Sequence, residues 1–166
     1  MARVVLVGLP GVGKTSVAQA LSSRWGCPVL DTDEEFQNEC GRTASQFLVE
    51  EGEAAFRECE VRILRRALDG DVVVATGGGV VTSPAARELL THEVTLWLDC
   101  DDEVILARVI DTERPLLGED HALALANLRE RRQDWYEGVS RARIDASGTL
   151  DEVIEQVARR VGEVSS

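Results

Sequence analysis

The segment Val4-Val5-Leu6-Val7-Gly8-Leu9-Pro10-Gly11-Val12-Gly13-Lys14-Thr15 decides the fold of this chain. Four apolar, mostly β-branched residues read as a buried strand, and Gly8 to Thr15 match GxxxxGK[ST], ahead of a helix bearing Val17, Ala18, Leu21 and Trp25. Glycines let backbone N–H groups wrap a β-phosphate, and the helix N-terminus adds a favourable dipole. Lys14 reaches the β and γ oxygens, and the Thr15 hydroxyl can ligate Mg²⁺. A chance glycine turn explains this strand–loop–helix setting poorly.

Outward from the loop, the composition limits what the protein can be. Its 166 residues carry 18 Lys+Arg against 30 Asp+Glu, a formal net charge of −12. That sign argues against broad binding of nucleic acid or an anionic membrane, since both need a basic surface. Lys14 is the single lysine; every other basic residue counted is an arginine. The length suits one domain over residues 1–166, and the 44% apolar fraction suits a packed core. No apolar run approaches the roughly 20 residues of a membrane span, and no cleavable signal pattern precedes the glycine loop, so a cytoplasmic protein is expected. Cys27, Cys40, Cys59 and Cys100 match neither CxxC metal spacing nor a secreted disulfide framework, and read as reduced, mostly structural thiols.

Short apolar runs alternate with amphipathic stretches. Strands are expected at Val4–Val7, Val29–Leu30, Val72–Ala75, Val94–Leu98 and near Ile144. Helices are expected at about Lys14–Trp25, Asp33–Glu39, Thr43–Glu51, Glu53–Asp69, Pro84–Leu90, Asp101–Val109, Ala122–Glu137 and Leu150–Val161. Thr43, Ser83 (before Pro84) and Asp101 are placed as N-caps. This βαβ alternation implies an α/β fold with a mostly parallel sheet between helices. Residues Asp111–Asp120, with Pro115, Gly118 and mixed charge, suggest a loop over a site.

A guanine switch needs an NKxD motif, impossible here without a second lysine. Motor and transporter ATPases end a Walker B strand on Asp or Glu, whereas Val72–Ala75 runs into Thr76 and Gly77-Gly78-Gly79. A small kinase acting on a second small molecule remains.

For the acceptor, Asp31 and Asp33 follow the second strand, at the carboxyl edge where open α/β sheets bind ligands. One carboxylate can hold Mg²⁺ through water and the other can accept the hydrogen bond of an attacking hydroxyl; alternatively, Asp33 only caps a helix. On a helical wheel of Glu53–Asp69, Arg57, Glu53 and Glu60 fall inside the apolar arc with Phe56 and Ile63. Arg57 is therefore a structural ion-pair residue or an anion clamp held by its glutamates. Arg132 interrupts the stripe Leu125, Leu128, Trp135, Tyr136 in the same way, while Arg129 and Arg131 lie at its margins and read as solvated. Two inward guanidinium groups suggest an acidic ligand gripped by paired hydrogen bonds. Gly77-Gly78-Gly79 lets backbone approach a ligand, or is a tight turn. Arg114, beside Pro115, is placed either as a lid arginine closing over phosphate or as a plain surface residue.

Together GLPGVGKTS, LDTD, GEAAFRECE, TGGGVV, RPLL and RRQDWY, in this order from Val4 to about Ile144, resemble the shikimate kinases, within the nucleoside monophosphate kinase-like P-loop group. The resemblance implies a three-layer P-loop kinase fold, with a five-stranded parallel sheet of order 2-3-1-4-5, a substrate-binding region at about 32–61 and a LID at about 111–122. It implies transfer of the ATP γ-phosphoryl to the 3-hydroxyl of shikimate, with Mg²⁺, by a monomer. By position, Gly11, Val12, Gly13, Lys14, Thr15 and Ser16 would hold phosphates, Thr15 and Asp31 the metal, and Asp33 the acceptor hydroxyl. Arg57 and Arg132 would bind the shikimate carboxylate, Gly77, Gly78 and Gly79 would line the substrate, Arg114 would come from the LID, and Arg108 would lie near the adenine. Asp145–Thr149, where the family's adenine loop falls, lacks its usual Arg and Pro. A kinase for a polyhydroxy acid such as gluconate is the neighbouring reading, and a nucleotide-dependent regulatory module the more distant one.

Overall fold

The computed structural model describes residues 1–110 and 120–164. Strand β1 (Val4–Val7) is wholly buried and lies at the centre of a sheet ordered β2-β3-β1-β4-β5. Its neighbours β3 (Val73–Ala75) and β4 (Thr95–Asp99) pair with it in parallel, with Val5 opposite Val74 on one side and Thr95 on the other. Strands β2 (Val29–Asp31) and β5 (Ala142–Asp145) close the edges, also in parallel. The inner strands β1, β3 and β4, buried on both faces, are apolar through most of their length and do not alternate, whereas the edge strand β5 does, with Arg143 and Asp145 exposed.

Helices α1 (Lys14–Trp25) and α8 (Leu150–Val164) pack against each other on the sheet, and α7 (His121–Val139) contacts β4 and α5 (Pro84–Thr91). The main core joins the strands to Leu21, Ile105, Leu125 and Val157. A second core is separate: Phe36, Phe47, Phe56 and Ile63 cluster between α2 (Thr32–Cys40), α3 (Ala44–Glu51) and α4 (Glu53–Ala67). Phe36 meets Phe47 and Phe56 edge to face at 5.2 and 5.1 Å, the arrangement aromatic quadrupoles favour. All three phenylalanines of the chain are spent here, giving residues 32–61 a small hydrophobic centre of their own.

The helix and strand positions read from the sequence fall within a few residues of those observed, and three local details differ. Thr43 caps α3 as expected, in a capping box with Gln46. Ser83 stands at the N-cap of α5 with no side-chain cap bond, because a 3₁₀ turn at Val80–Thr82, unread in the sequence, leads straight into Pro84. The wheel turned Glu53 inward, but its side chain is 70% exposed, because it is the first residue of α4. Arg129 is not solvated: it donates to Asp99 at 2.8 Å, to Asp102 at 2.7 Å and to the Cys100 carbonyl at 2.7 Å. Asp99 ends β4 only 2% exposed and requires cationic partners, a demand that α7's own sequence does not reveal. Arg114 and most of the expected LID lie outside the described residues.

Candidate active site

The phosphate loop bridges the end of β1 and the start of α1, and its shape depends on glycine. Gly13 caps α1 at φ 106°, where an L side chain is strained, and a Cβ on Gly11, at φ 83°, would stand 2.7 Å from Val109 of α6 (Asp102–Ile110). Lys14 is 8% exposed, and its Nζ donates to the Gly8 and Leu9 carbonyls at 2.8 and 2.9 Å. The cation is thus held within the loop that surrounds it. The Thr15 Oγ1 donates to Asp31 Oδ2 at 2.7 Å, joining the loop to the end of β2.

Asp31, rather than Asp33, caps α2. Its Oδ1 accepts from the Asp33 N–H at 2.9 Å and from Glu34 at 3.4 Å. Asp33 is thereby released from the capping role that the sequence left open, and its carboxylate lies against the glycine triplet: a Cβ on Gly77 would come within 2.4 Å of Asp33 Oδ1.

Each glycine of the triplet faces a different functional element. Gly77 faces Asp33. Gly78 faces the phosphate loop, where a Cβ would meet Pro10 Cδ at 2.8 Å. Gly79 faces both inward arginines, with Arg57 Nη1 at 3.0 Å and Arg132 Nη2 at 3.4 Å from such a Cβ. The structure therefore gathers Asp33, Pro10 of the phosphate loop, Arg57 and Arg132 around three residues that carry no side chain.

Arg57 is braced by the neighbouring turn of α4. Its Nη1 donates to Glu60 at 2.9 Å and to the Gly79 carbonyl at 3.1 Å, while its buried Nε makes no hydrogen bond among the described residues and faces Glu53 Oε1 at ion-pair distance, 3.9 Å. Glu60 is 6% exposed, and burial raises its pKa even though Arg57 opposes the shift. Below about pH 4.5, the ordinary value, both folded and unfolded forms are protonated. Above it the unfolded chain ionises first, so stability falls as pH rises until the buried carboxyl ionises too. The Glu60→Gln variant should lose less stability over that interval, as read by urea unfolding at successive pH values. Equal slopes would remove Glu60 as the source.

Tyr136 is a site residue that the sequence hid as an ordinary stripe position. Its hydroxyl donates to the Gly78 carbonyl at 2.5 Å, its ring stacks on Trp97 at 5.9 Å, and it is 1% exposed. Burial pushes its pKa up to about 12, so the phenol remains a donor at any working pH. A buried tyrosine four residues beyond an inward arginine was the available signal. We expect Tyr136→Phe to raise the KM of the acceptor about fivefold, the factor matching a net hydrogen bond of roughly 1 kcal/mol, with KM for the nucleotide unchanged. An unchanged acceptor KM would make the bond purely structural.

Arg108 bonds the Val12 carbonyl at 3.0 Å and the Ala146 carbonyl at 2.6 Å, fastening the phosphate loop to the segment after β5. Among the described residues no group of three or more His, Cys, Asp or Glu side chains is placed to hold a metal ion, and no helix is long and apolar enough to cross a membrane.

Comparison with known proteins places this arrangement. A family profile described as shikimate kinase matches residues 10–162. The shikimate kinase of Paramagnetospirillum magneticum is 40% identical over 164 residues, covering 96% of this chain and 82% of that protein. The solved shikimate kinase of Acinetobacter baumannii, in complex with shikimate, superposes with a TM-score of 0.87 at 30% identity, covering 98% of this chain and 93% of that one. A gluconokinase from Sinorhizobium meliloti shares the fold at a TM-score of 0.70 and 16% identity, over 97% and 91% of the two chains.

Proposed function

The chain belongs to the shikimate kinase family, and on that premise we propose how its residues divide the work. It transfers the γ-phosphoryl of ATP to the 3-hydroxyl of shikimate, giving shikimate 3-phosphate and ADP in the chorismate branch of aromatic amino-acid synthesis. The observation that carries the residue assignment is the glycine triplet, whose three backbone faces touch Asp33, Pro10 of the phosphate loop and the Arg57–Arg132 pair.

Gly11, Val12, Gly13 and Ser16 present loop N–H groups to the phosphates, and Lys14 neutralises their developing charge. Arg57 and Arg132 hold the shikimate carboxylate; the Arg57 Nε, with no hydrogen-bond acceptor among the described residues, is a donor suited to it. Gly77, Gly78 and Gly79 let the ring lie against the backbone, which sets the reacting hydroxyl beside Asp33. Asp33 accepts the hydroxyl proton as oxygen attacks phosphorus and the bond to ADP breaks. Arg114 approaches from the LID at about 111–122, and residues 32–61 form the substrate-binding region. Arg108 lies on the adenine side.

The Thr15 hydroxyl and the Asp31 carboxylate, 2.7 Å apart, are hard oxygen donors of the small number Mg²⁺ takes from a protein when nucleotide phosphates and water supply the rest. When bound with ATP, Mg²⁺ neutralises phosphate charge; Thr15 would hold it directly and Asp31 through water. We place the protein in the cytoplasm as a monomer, with neither nucleic acid nor membrane as partner.

A coupled ADP-release assay comparing shikimate, gluconate and no acceptor tests the reading. Turnover should require shikimate. Turnover without acceptor, or with gluconate alone, would overturn it.

A further inference from the structure

Two cysteines far apart in sequence meet beside the second core. Cys40 closes α2, Cys59 lies on α4 between Arg57 and Glu60, and their Sγ atoms are 3.9 Å apart, both side chains half-buried. Arg62, one turn along α4, donates from Nη2 to Cys59 Sγ at 3.0 Å and also pairs with Glu39. We propose that Cys40 and Cys59 are an oxidation site, a dithiol that a hydroperoxide converts into a disulfide tying α2 to α4.

The geometry assigns the two sulfurs different parts. Arg62, in hydrogen-bond contact with the Cys59 sulfur, would stand as counterion when that sulfur attacks as a thiolate. The thiolate displaces alkoxide or hydroxide from the peroxide O–O bond, giving a Cys59 sulfenic acid, and water protonates the leaving oxygen. The Cys40 thiol then attacks that sulfur, its proton leaves with the hydroxyl as water, and the S–S bond forms. Two thiols lose two electrons and the peroxide gains them. Burial and the Cys59 sulfur both raise the pKa of Cys40, in keeping with a thiol that waits for the sulfenic acid.

To bond, the sulfurs must close from 3.9 Å to about 2.05 Å. Cys40 can supply that movement because it is the last residue of α2, followed by Gly41 at φ 63°. The linkage would enclose all of α3 and join the helix that bears Asp33 to the helix that bears Arg57. A disulfide of this kind in a reducing compartment is a transient, sensing one.

The test is hydrogen peroxide treatment of the whole protein, thiol alkylation and peptide mapping without reductant. A Cys40–Cys59 linked peptide should appear before Cys27 or Cys100 is modified, and dithiothreitol should reverse it. In Cys40→Ser, dimedone should trap a sulfenic acid on Cys59; in Cys59→Ser, none should form on Cys40 at the same dose. Absence of the link, or first oxidation at Cys40, overturns the proposal. At subsaturating shikimate, cross-linked protein should lose at least about twofold in rate, since small misplacements of positioning groups are costly. Peroxide should not lower the rate of Cys40→Ser relative to that variant's own untreated rate, and an unchanged rate of the parent protein at full cross-linking overturns the coupling to turnover. That last arm rests on the shikimate reading of the cleft whereas the cross-link does not, so failure of one is distinguishable from failure of the other.

Discussion

Replacing Asp33 with asparagine should lower kcat by about 10²- to 10⁴-fold while leaving KM for ATP unchanged, the range expected when a positioned proton acceptor is removed. Two features make the variant clean. Asp33 does not cap α2, since the Asp31 carboxylate accepts the Asp33 and Glu34 N–H bonds, so the helix start survives. Asparagine also keeps the volume of the side chain packed on Gly77. What it loses is the negative charge that draws the hydroxyl proton as phosphorus is attacked. Steady-state kinetics with each substrate varied decides the matter, and a near-normal kcat would reject Asp33 as the acceptor.

The second large effect concerns the clamp, and the two arginines should behave differently. Arg132→Ala should raise KM for shikimate by about 10- to 100-fold, the loss of charge-assisted hydrogen bonds worth roughly 1.5–3 kcal/mol, with little effect on KM for ATP. Arg57→Ala should raise the same KM and also destabilise the fold, by about 3–5 kcal/mol, because Glu60 is then buried without its cation. Adding Glu60→Gln to Arg57→Ala should recover much of the stability and none of the affinity. Equal effects of Arg132→Ala on both substrates would mean that the arginine holds structure rather than ligand.

The difference between the two arginines comes from what a helical wheel can and cannot see. It reports which way a side chain leaves its own helix, which sufficed to mark Arg57 and Arg132 as anomalous. It does not report what the facing element offers. Arg129 looked marginal until the end of β4 placed buried Asp99 against it. Glu53 looked inward until its place as the first residue of α4 left its side chain exposed. Tyr136 looked like core until its hydroxyl met a glycine carbonyl 58 residues away in the chain.

Where the fold comes from local signals, the sequence alone was enough. A strand of four apolar residues, a loop with glycine where φ must be positive, and a single lysine at the head of a helix specify the phosphate site without reference to anything distant. The alternation of apolar runs and amphipathic stretches beyond it specifies parallel strands, because only buried strands can be apolar throughout. The tertiary structure decided which groups stand together: that Asp31 caps while Asp33 is left to the triplet, that each glycine of that triplet serves a different neighbour, and that Cys40 and Cys59 touch. Apart from the Asp31 cap, which spans two and three residues, these are contacts between elements 19 or more residues apart, set by how helices pack across a sheet. A periodicity confined to one helix carries no record of them.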